Sequence, residues 1–256
     1  IRRGTKVPES ATEVFDVYFN SSTVSLGQST GVSLVPDFVI ARDIDASRDF
    51  NVTDRLRGAG KIDPDASYSK KALYTNTTGA EVSDKPFFDI INTHGNVTVG
   101  GEGNNVAGLW GAFLRRAPNF FDVAAYTGDG TSSNTVRTAA IPHNLGAQPE
   151  MVWVKRRNVT SEWVVAHKDY GAGYLNLSNT FATYASMSTT HNDNFTDTNF
   201  KIGAWQQEAN FNVSGASYIA YLFASLDGIS KVGSFSHTTG SSTDVNCGFS
   251  SGARFI

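Results

Sequence analysis

One cysteine, Cys247, stands in 256 residues, which excludes an internal disulfide framework and a cysteine-built zinc site. Stability must then come from apolar cores and from contacts between copies or chains. Charge is scarce as well: Asp, Glu, Lys and Arg make up 18% of the chain and the net charge is −3. Lys155-Arg156-Arg157 and Arg115-Arg116 are short clusters rather than a basic stripe, so the electrostatic footprint of a nucleic-acid binder is missing. No apolar run reaches the roughly 18 residues of a membrane-spanning helix, and no secretory signal is visible at the start. The chain opens at Ile1 without a methionine and closes inside a repeat, so it reads as a piece of a longer polypeptide or a chain ordered in part.

What is present favours strands and turns. Gly, Ser, Thr and Asn dominate, and aromatics reach 12%. Thr, Val, Tyr, Phe and Trp fit a pleated, half-buried surface, while Asn and Gly tolerate the positive-φ positions of turns. The composition predicts an all-β protein without long helices.

The order of residues says the same thing twice. Asp16-Val17, Pro36 to Arg42, Phe50 and Gly58-Ala59-Gly60 return as Asp122-Val123, Pro149 to Lys155, Trp163 and Gly171-Ala172-Gly173. Pro36 and Pro149, Phe50 and Trp163, and Gly58 and Gly171 are each 113 residues apart. Further on, Leu109-Trp110-Gly111-Ala112-Phe113 matches Ile219-Ala220-Tyr221-Leu222-Phe223 with a shift of 110. A third copy opens at Val232-Gly233-Ser234-Phe235 and reaches Arg254-Phe255-Ile256, aligned with Glu150-Met151-Val152. A period near 110 is too long for a solenoid repeat and suits a self-contained domain. The chain therefore divides into an N-terminal segment (1–14), repeat 1 (15–120), repeat 2 (121–231) and the start of a third, incomplete repeat (232–256). Repeat 1 carries an insertion of about ten residues around 62–71, including Asp63 and Asp65, in a place where loops absorb length cheaply.

Within repeat 2, strands are predicted at Phe121–Thr127, Val136–Ile141, Glu150–Arg156, Trp163–His167, Tyr174–Leu177, Phe200–Ile202 and Ser217–Leu226, with turn residues between them. The fold class this predicts is all-β, as tandem antiparallel β-sandwich domains of jelly-roll-like kind.

The string Phe121-Asp122-Val123, Tyr126-Thr127-Gly128-Asp129-Gly130, Pro142-His143-Asn144-Leu145-Gly146, Pro149 to Lys155, Trp163 to His167, Tyr174 to Leu177 and Val213 to Ala224 resembles the tandem repeat domain of bacteriophage tail-fibre-like and other virion appendage proteins. The resemblance covers residues 121–231 well and 15–120 more loosely. It implies a structural or adhesive component of a virion, with other virion proteins as partners. It supplies no catalytic, cofactor or metal residues.

Chemistry read from the residues points the same way. Asp43 and Asp45, two apart on a predicted strand, could pair as in a glycosidase, with Asp49 and Asp54 nearby, but solvated carboxylates at a strand end explain them more simply. His143 and His167 lack a positioned nucleophile. Gly100-Gly101-Glu102-Gly103 lacks the Lys and helix of a phosphate loop. The hard-oxygen stretches His191 to Asp197 and Asp63/Asp65 lack the pattern of a calcium loop. No metal, cofactor or catalytic residue is assigned. Exposed aromatics among polar neighbours remain as ligand-binding candidates, Tyr170 and Trp205, whose rings could stack on the C–H faces of sugars. The expected function is a non-enzymatic virion module of a tail fibre or related appendage, with host-surface glycan as the candidate contact. It would be homo-oligomeric, with a trimer favoured. The alternatives are a capsid decoration or tail-scaffold protein, and a glycan depolymerase.

Overall fold

The structure, a computed structural model, describes residues 6–58, 71–83, 87–90, 97–100, 105–131, 139–170, 173–179, 194–202, 212–253 and 255–256. Strands follow in chain order as β1 (Phe15–Asn20), β2 (Phe38–Asp43), β3 (Asn51–Asp54), β4 (Lys71–Tyr74), β5 (Val82–Ser83), β6 (Phe88–Asp89), β7 (Thr98–Val99), β8 (Leu109–Leu114), β9 (Phe121–Thr127), β10 (Ile141–Pro142), β11 (Met151–Arg156), β12 (Trp163–His167), β13 (Leu175–Asn176), β14 (Asn199–Phe200) and β15 (Ser217–Phe223). Helical geometry among the described residues is confined to 3-10 turns at Ala11–Glu13 and Lys168–Tyr170 and a single residue at Asn194. The protein is all-β and antiparallel throughout.

Sheet 1, drawn from residues 15–114, runs β1-β8-β2-β3-β4-β5, and sheet 2, drawn from 121–223, runs β9-β15-β11-β12-β13. Five strands thus recur in the same spatial order. The pairing fixes the correspondence residue by residue. Phe38 and Asp54 face each other in sheet 1, as Met151 and His167 do in sheet 2, so the 113-residue shift holds across these two strands. The last strand differs from its sequence match. Leu114 lies opposite Phe38 and Phe223 lies opposite Met151, which sets the shift at 109 rather than 110. The correction matters because a slip of one residue moves every side chain of a strand to the other face. The true equivalents are Ala112 with Tyr221, and Trp110 with Ile219.

The central strands of both sheets are buried on both faces, which is why β2 and β12 read as continuous apolar runs rather than alternating ones. The outer face of sheet 1 (Tyr18, Val39, Ala41, Phe113) packs under Val24, Leu34, Phe88, Val97 and Val99. There β6 pairs β7, and Ser29 bridges Thr98. Sheet 2 repeats this with Tyr126, Val152, Val154 and Leu222 beneath Ile141, Phe195 and Phe200, where β10 pairs β14. The two inner faces meet in a third core, containing Phe38, Ile40, Val52, Leu73, Phe121, Val123, Trp163, Ile219 and Tyr221. The repeats are therefore joined as one four-layered stack instead of strung as separate beads. Phe50 and Trp163, at equivalent positions, both turn to this shared core. Val152 and Trp153, adjacent on β11, point to opposite faces, the first into the outer core and the second half-buried on the inner side.

Gly111 is needed where it stands. A Cβ there would lie 2.5 Å from Cε2 of Phe88, which is stacked edge-on against Tyr18 and Phe113. Gly111→Ala is expected to lose about 1–3 kcal/mol through overpacking, read as a lower urea midpoint. An unchanged midpoint would mean that Phe88 can yield without cost.

Candidate functional site

Burying a charge is expensive unless it is paired and hydrogen-bonded, so the fully buried charged groups mark the most constrained chemistry of the fold. One group of them lies where the two sheets meet. Asp54 ends β3 with its carboxylate wholly buried. Its Oδ1 accepts from the Arg57 backbone N–H at 2.9 Å, and its Oδ2 accepts from Arg57 Nε and, across the core, from the Tyr221 hydroxyl at 2.6 Å. Arg57 spends its other donors on the carbonyls of Lys71 (3.0 Å) and Val52 (2.9 Å). Its Nη1 lies 3.5 Å from Glu81, which is held by the Arg157 guanidinium through two bonds of 2.8 and 3.0 Å. Burial disfavours the Arg57 cation, but Asp54, Tyr221 and Glu81 outweigh it and raise its pKa, while burial pushes the Tyr221 phenol well up. This Asp–Arg–Tyr–Glu–Arg chain crosses from repeat 1 to repeat 2. Trp163 adds an indole N–H bond to the Tyr74 carbonyl at 2.8 Å, and backbone bonds join Glu81 with Arg157 and Ser161 with Thr78.

Lys155 is the second buried cation of the joint. Its ammonium donates to the Thr78 and Arg156 carbonyls at 3.2 and 3.1 Å. Burial pulls its pKa down to about 8, against the pull of Glu162. The folded value lies below the ordinary 10.5, so between pH 8 and 10.5 the unfolded chain holds more protons and stability rises with pH. The stability of wild type relative to Lys155→Met is expected to climb across that window. A difference that stays flat there would assign Lys155 an ordinary pKa.

The outer candidates fare differently. Asp43 closes β2, but its carboxylate is buried, accepts from the Asp45 N–H at 3.1 Å and lies 3.3 Å from Arg48 Nε. Asp45 sits beyond the strand in the turn, so the two are not a facing pair on one strand. Asp54, grouped with them by sequence, is part of the interior network. His143 is buried, takes a bond from the Leu145 N–H at Nδ1 (3.1 Å), and is pushed to a lower pKa by burial. His167 is buried too, with its Nδ1 taking the Asp169 N–H at 3.2 Å. Among the described residues no group of three or more His, Cys, Asp or Glu side chains could hold a metal ion.

Tyr170 is exposed at the end of the 3-10 turn, edge-on to His167 at 6.0 Å, beside the Lys168–Glu150 pair. Trp205 lies outside the described residues, as do Asp63, Asp65, 191–193 of the Asn-rich stretch and 101–103 of the glycine run. The fold thus leaves Tyr170 as the one described ligand candidate and brings no second candidate to it. Sequence reasoning passed over Arg57, Glu81 and Tyr221. Charged residues close to apolar strands were the available signal, but the one-residue slip in the last strand hid that Tyr221 belongs to the inner face.

The family profile described as a domain of unknown function (DUF7483) matches residues 114–253, more than half of the chain, and the chain belongs to that family. No curated protein and no solved structure matches it.

Proposed function

We propose that this DUF7483 member is a non-enzymatic structural module of a bacteriophage particle, built into a tail fibre or related appendage and able to touch host-surface glycan through its outer loops. The observation that carries the reading is the joint between the repeats. Its buried charged groups are spent on one another and on backbone carbonyls, which is the use expected of a load-bound scaffold and not of groups poised for reaction. The resemblance of residues 121–231 to virion appendage repeats supplies the setting. Tyr170, exposed beside Lys168 and Asp169, is the aromatic offered to a sugar ring. Many weak sites acting together give such a fibre its grip, which favours a homo-oligomer, a trimer above other states.

Immunogold labelling of intact particles with antibody to the purified chain is expected to mark the tail or a surface appendage. Label confined to the head or tail trunk would replace this reading with a decoration or scaffold role, and release of reducing sugar from host glycan would replace it with a depolymerase. Light scattering of the purified chain tests the trimer. Host-cell binding by wild type and by Tyr170→Ala tests the glycan contact, which equal binding would remove.

A further inference from the structure

The contact between the repeats is head-to-tail. Phe38 of repeat 1 covers the first-strand face of repeat 2, lying 5.5 Å from Phe121 and 4.9 Å from Tyr221. Beneath it Phe121, Val123 and Ile219 are 0, 3 and 0% exposed. Equal faces in a self-complementary pair would be equally buried. Here they are not: the equivalent residues of repeat 1, Phe15, Val17 and Trp110, are half-buried. What lies on that strip is Phe255, 6.1 Å from Phe15 and stacked on Trp110 at 5.9 Å. In the sequence repeat, Phe255 holds the position of Met151 and Phe38. The Phe255–Phe15 contact is therefore the Phe38–Phe121 contact made once more, by a third repeat upon the first.

The junctions agree. After repeat 1 the chain turns with Ala117 bridged to Phe121 and a positive φ at Asn119, and after repeat 2 it turns with Leu226 bridged to Ser230 and a positive φ at Gly228. Asp37 accepts the Arg116 N–H at 2.8 Å, and Glu150, its equivalent, accepts the Ser225 N–H at 2.8 Å. Each junction is shifted by the same 109 residues, so residue 230 stands where Phe121 begins β9. Val232, equivalent to Val123, is already buried, yet no strand forms among the described residues of 231–256, as expected of a strand lacking the rest of its sheet.

We infer that residues 230–256 begin a third five-stranded sheet of the same polypeptide, which seats between the open strip of sheet 1 (Phe15, Val17, Trp110) and the half-buried strip of sheet 2 (Met151, Trp153, Phe223). Three repeats then close as a ring around one apolar core, continuous with the core that sheets 1 and 2 already share. A head-to-tail contact gives a closed ring only when its rotation returns to the start, and Phe255 on Phe15 is that return. The inference stands on the repeat geometry and not on the assignment to a virion.

The test places Val17→Cys, whose equivalent Val123 is 3% exposed, in a Cys247→Ser background and measures maleimide labelling. The present chain is expected to label fast. A chain extended after Ile256 by a second copy of residues 153–229, which continues the alignment of Ile256 with Val152, is expected to stay monomeric and to label about 100-fold more slowly, as a site reached only by local opening does. Equal labelling of the two chains overturns the inference. So does slow labelling of the present chain in a dimer, which would give the strip to a second copy. If the extended chain does not fold, iodide quenching of Trp110, assigned by difference from Trp110→Phe, takes its place. Phe255→Ala should raise that quenching severalfold, and no change would overturn the inference.

Discussion

Asp54→Ala is expected to be the most damaging single substitution in this protein, at about 3–5 kcal/mol, because it leaves the Arg57 guanidinium buried without its nearest counter-charge. Asp54 and Arg57 have no exposed side-chain surface, so water cannot take over. Tyr221→Phe removes one hydrogen bond from the same carboxylate and is expected to cost only about 1 kcal/mol, since Asp54 keeps its bonds from Arg57. The measurement is the thermal midpoint of each variant. For a chain of this size the Asp54 loss corresponds to roughly 10 °C or more. If Asp54→Ala melted together with Tyr221→Phe, Glu81 would have to be supplying Arg57 with all the compensation it needs.

Trp163→Ala should come close behind, at about 3–5 kcal/mol for the lost packing and the cavity, with the Tyr74 carbonyl losing its indole donor. Its second consequence separates a shared core from two independent ones. Trp163 lies in repeat 2 but packs in the core formed with Phe38, Ile40 and Val52 of repeat 1. Hydrogen exchange should therefore quicken in β1, β2 and β8 as well as in β11 and β12. Faster exchange restricted to residues 121–223 would mean that the repeats fold as separate units.

Several elements were open to reading from residues alone because their causes are local. Phe121–Thr127 and Trp163–His167 form strands with the predicted bounds. Both are short runs of β-favouring residues, with Gly128 after the first. The equivalence of Asp54 with His167 follows from an unbroken spacing and is reproduced in the ladder, and Phe50 and Trp163 share the same shift of 113. The final strand was misaligned because Phe113 and Phe223 attract each other in a sequence match, while the pairing sets Phe113 against Leu222. Nothing in composition distinguishes the two alignments. The hydrogen-bond register does, since it decides which face each residue takes. Asp43 and Asp45 failed as a facing pair for a related reason: the strand ends at Asp43, and its carboxylate is consumed by Arg48 and the Asp45 amide.

By itself the sequence determined the all-β class, the repeat and the order in which its strands follow, since strand propensity, turn chemistry and period are properties of neighbouring residues. It also determined that no disulfide could hold the repeats, leaving the task to apolar surface and buried polar contacts. Only the tertiary structure decided that the central strands of each main sheet are covered on both faces, that Asp54 and Tyr221 meet across 167 positions of chain, and that one first-strand face is buried while its equivalent stays open. These depend on which apolar surface finds which. The hydrophobic effect is non-directional, so it demands that the surfaces be covered without naming the partner, and the partner is chosen by shape and register once the strands have assembled.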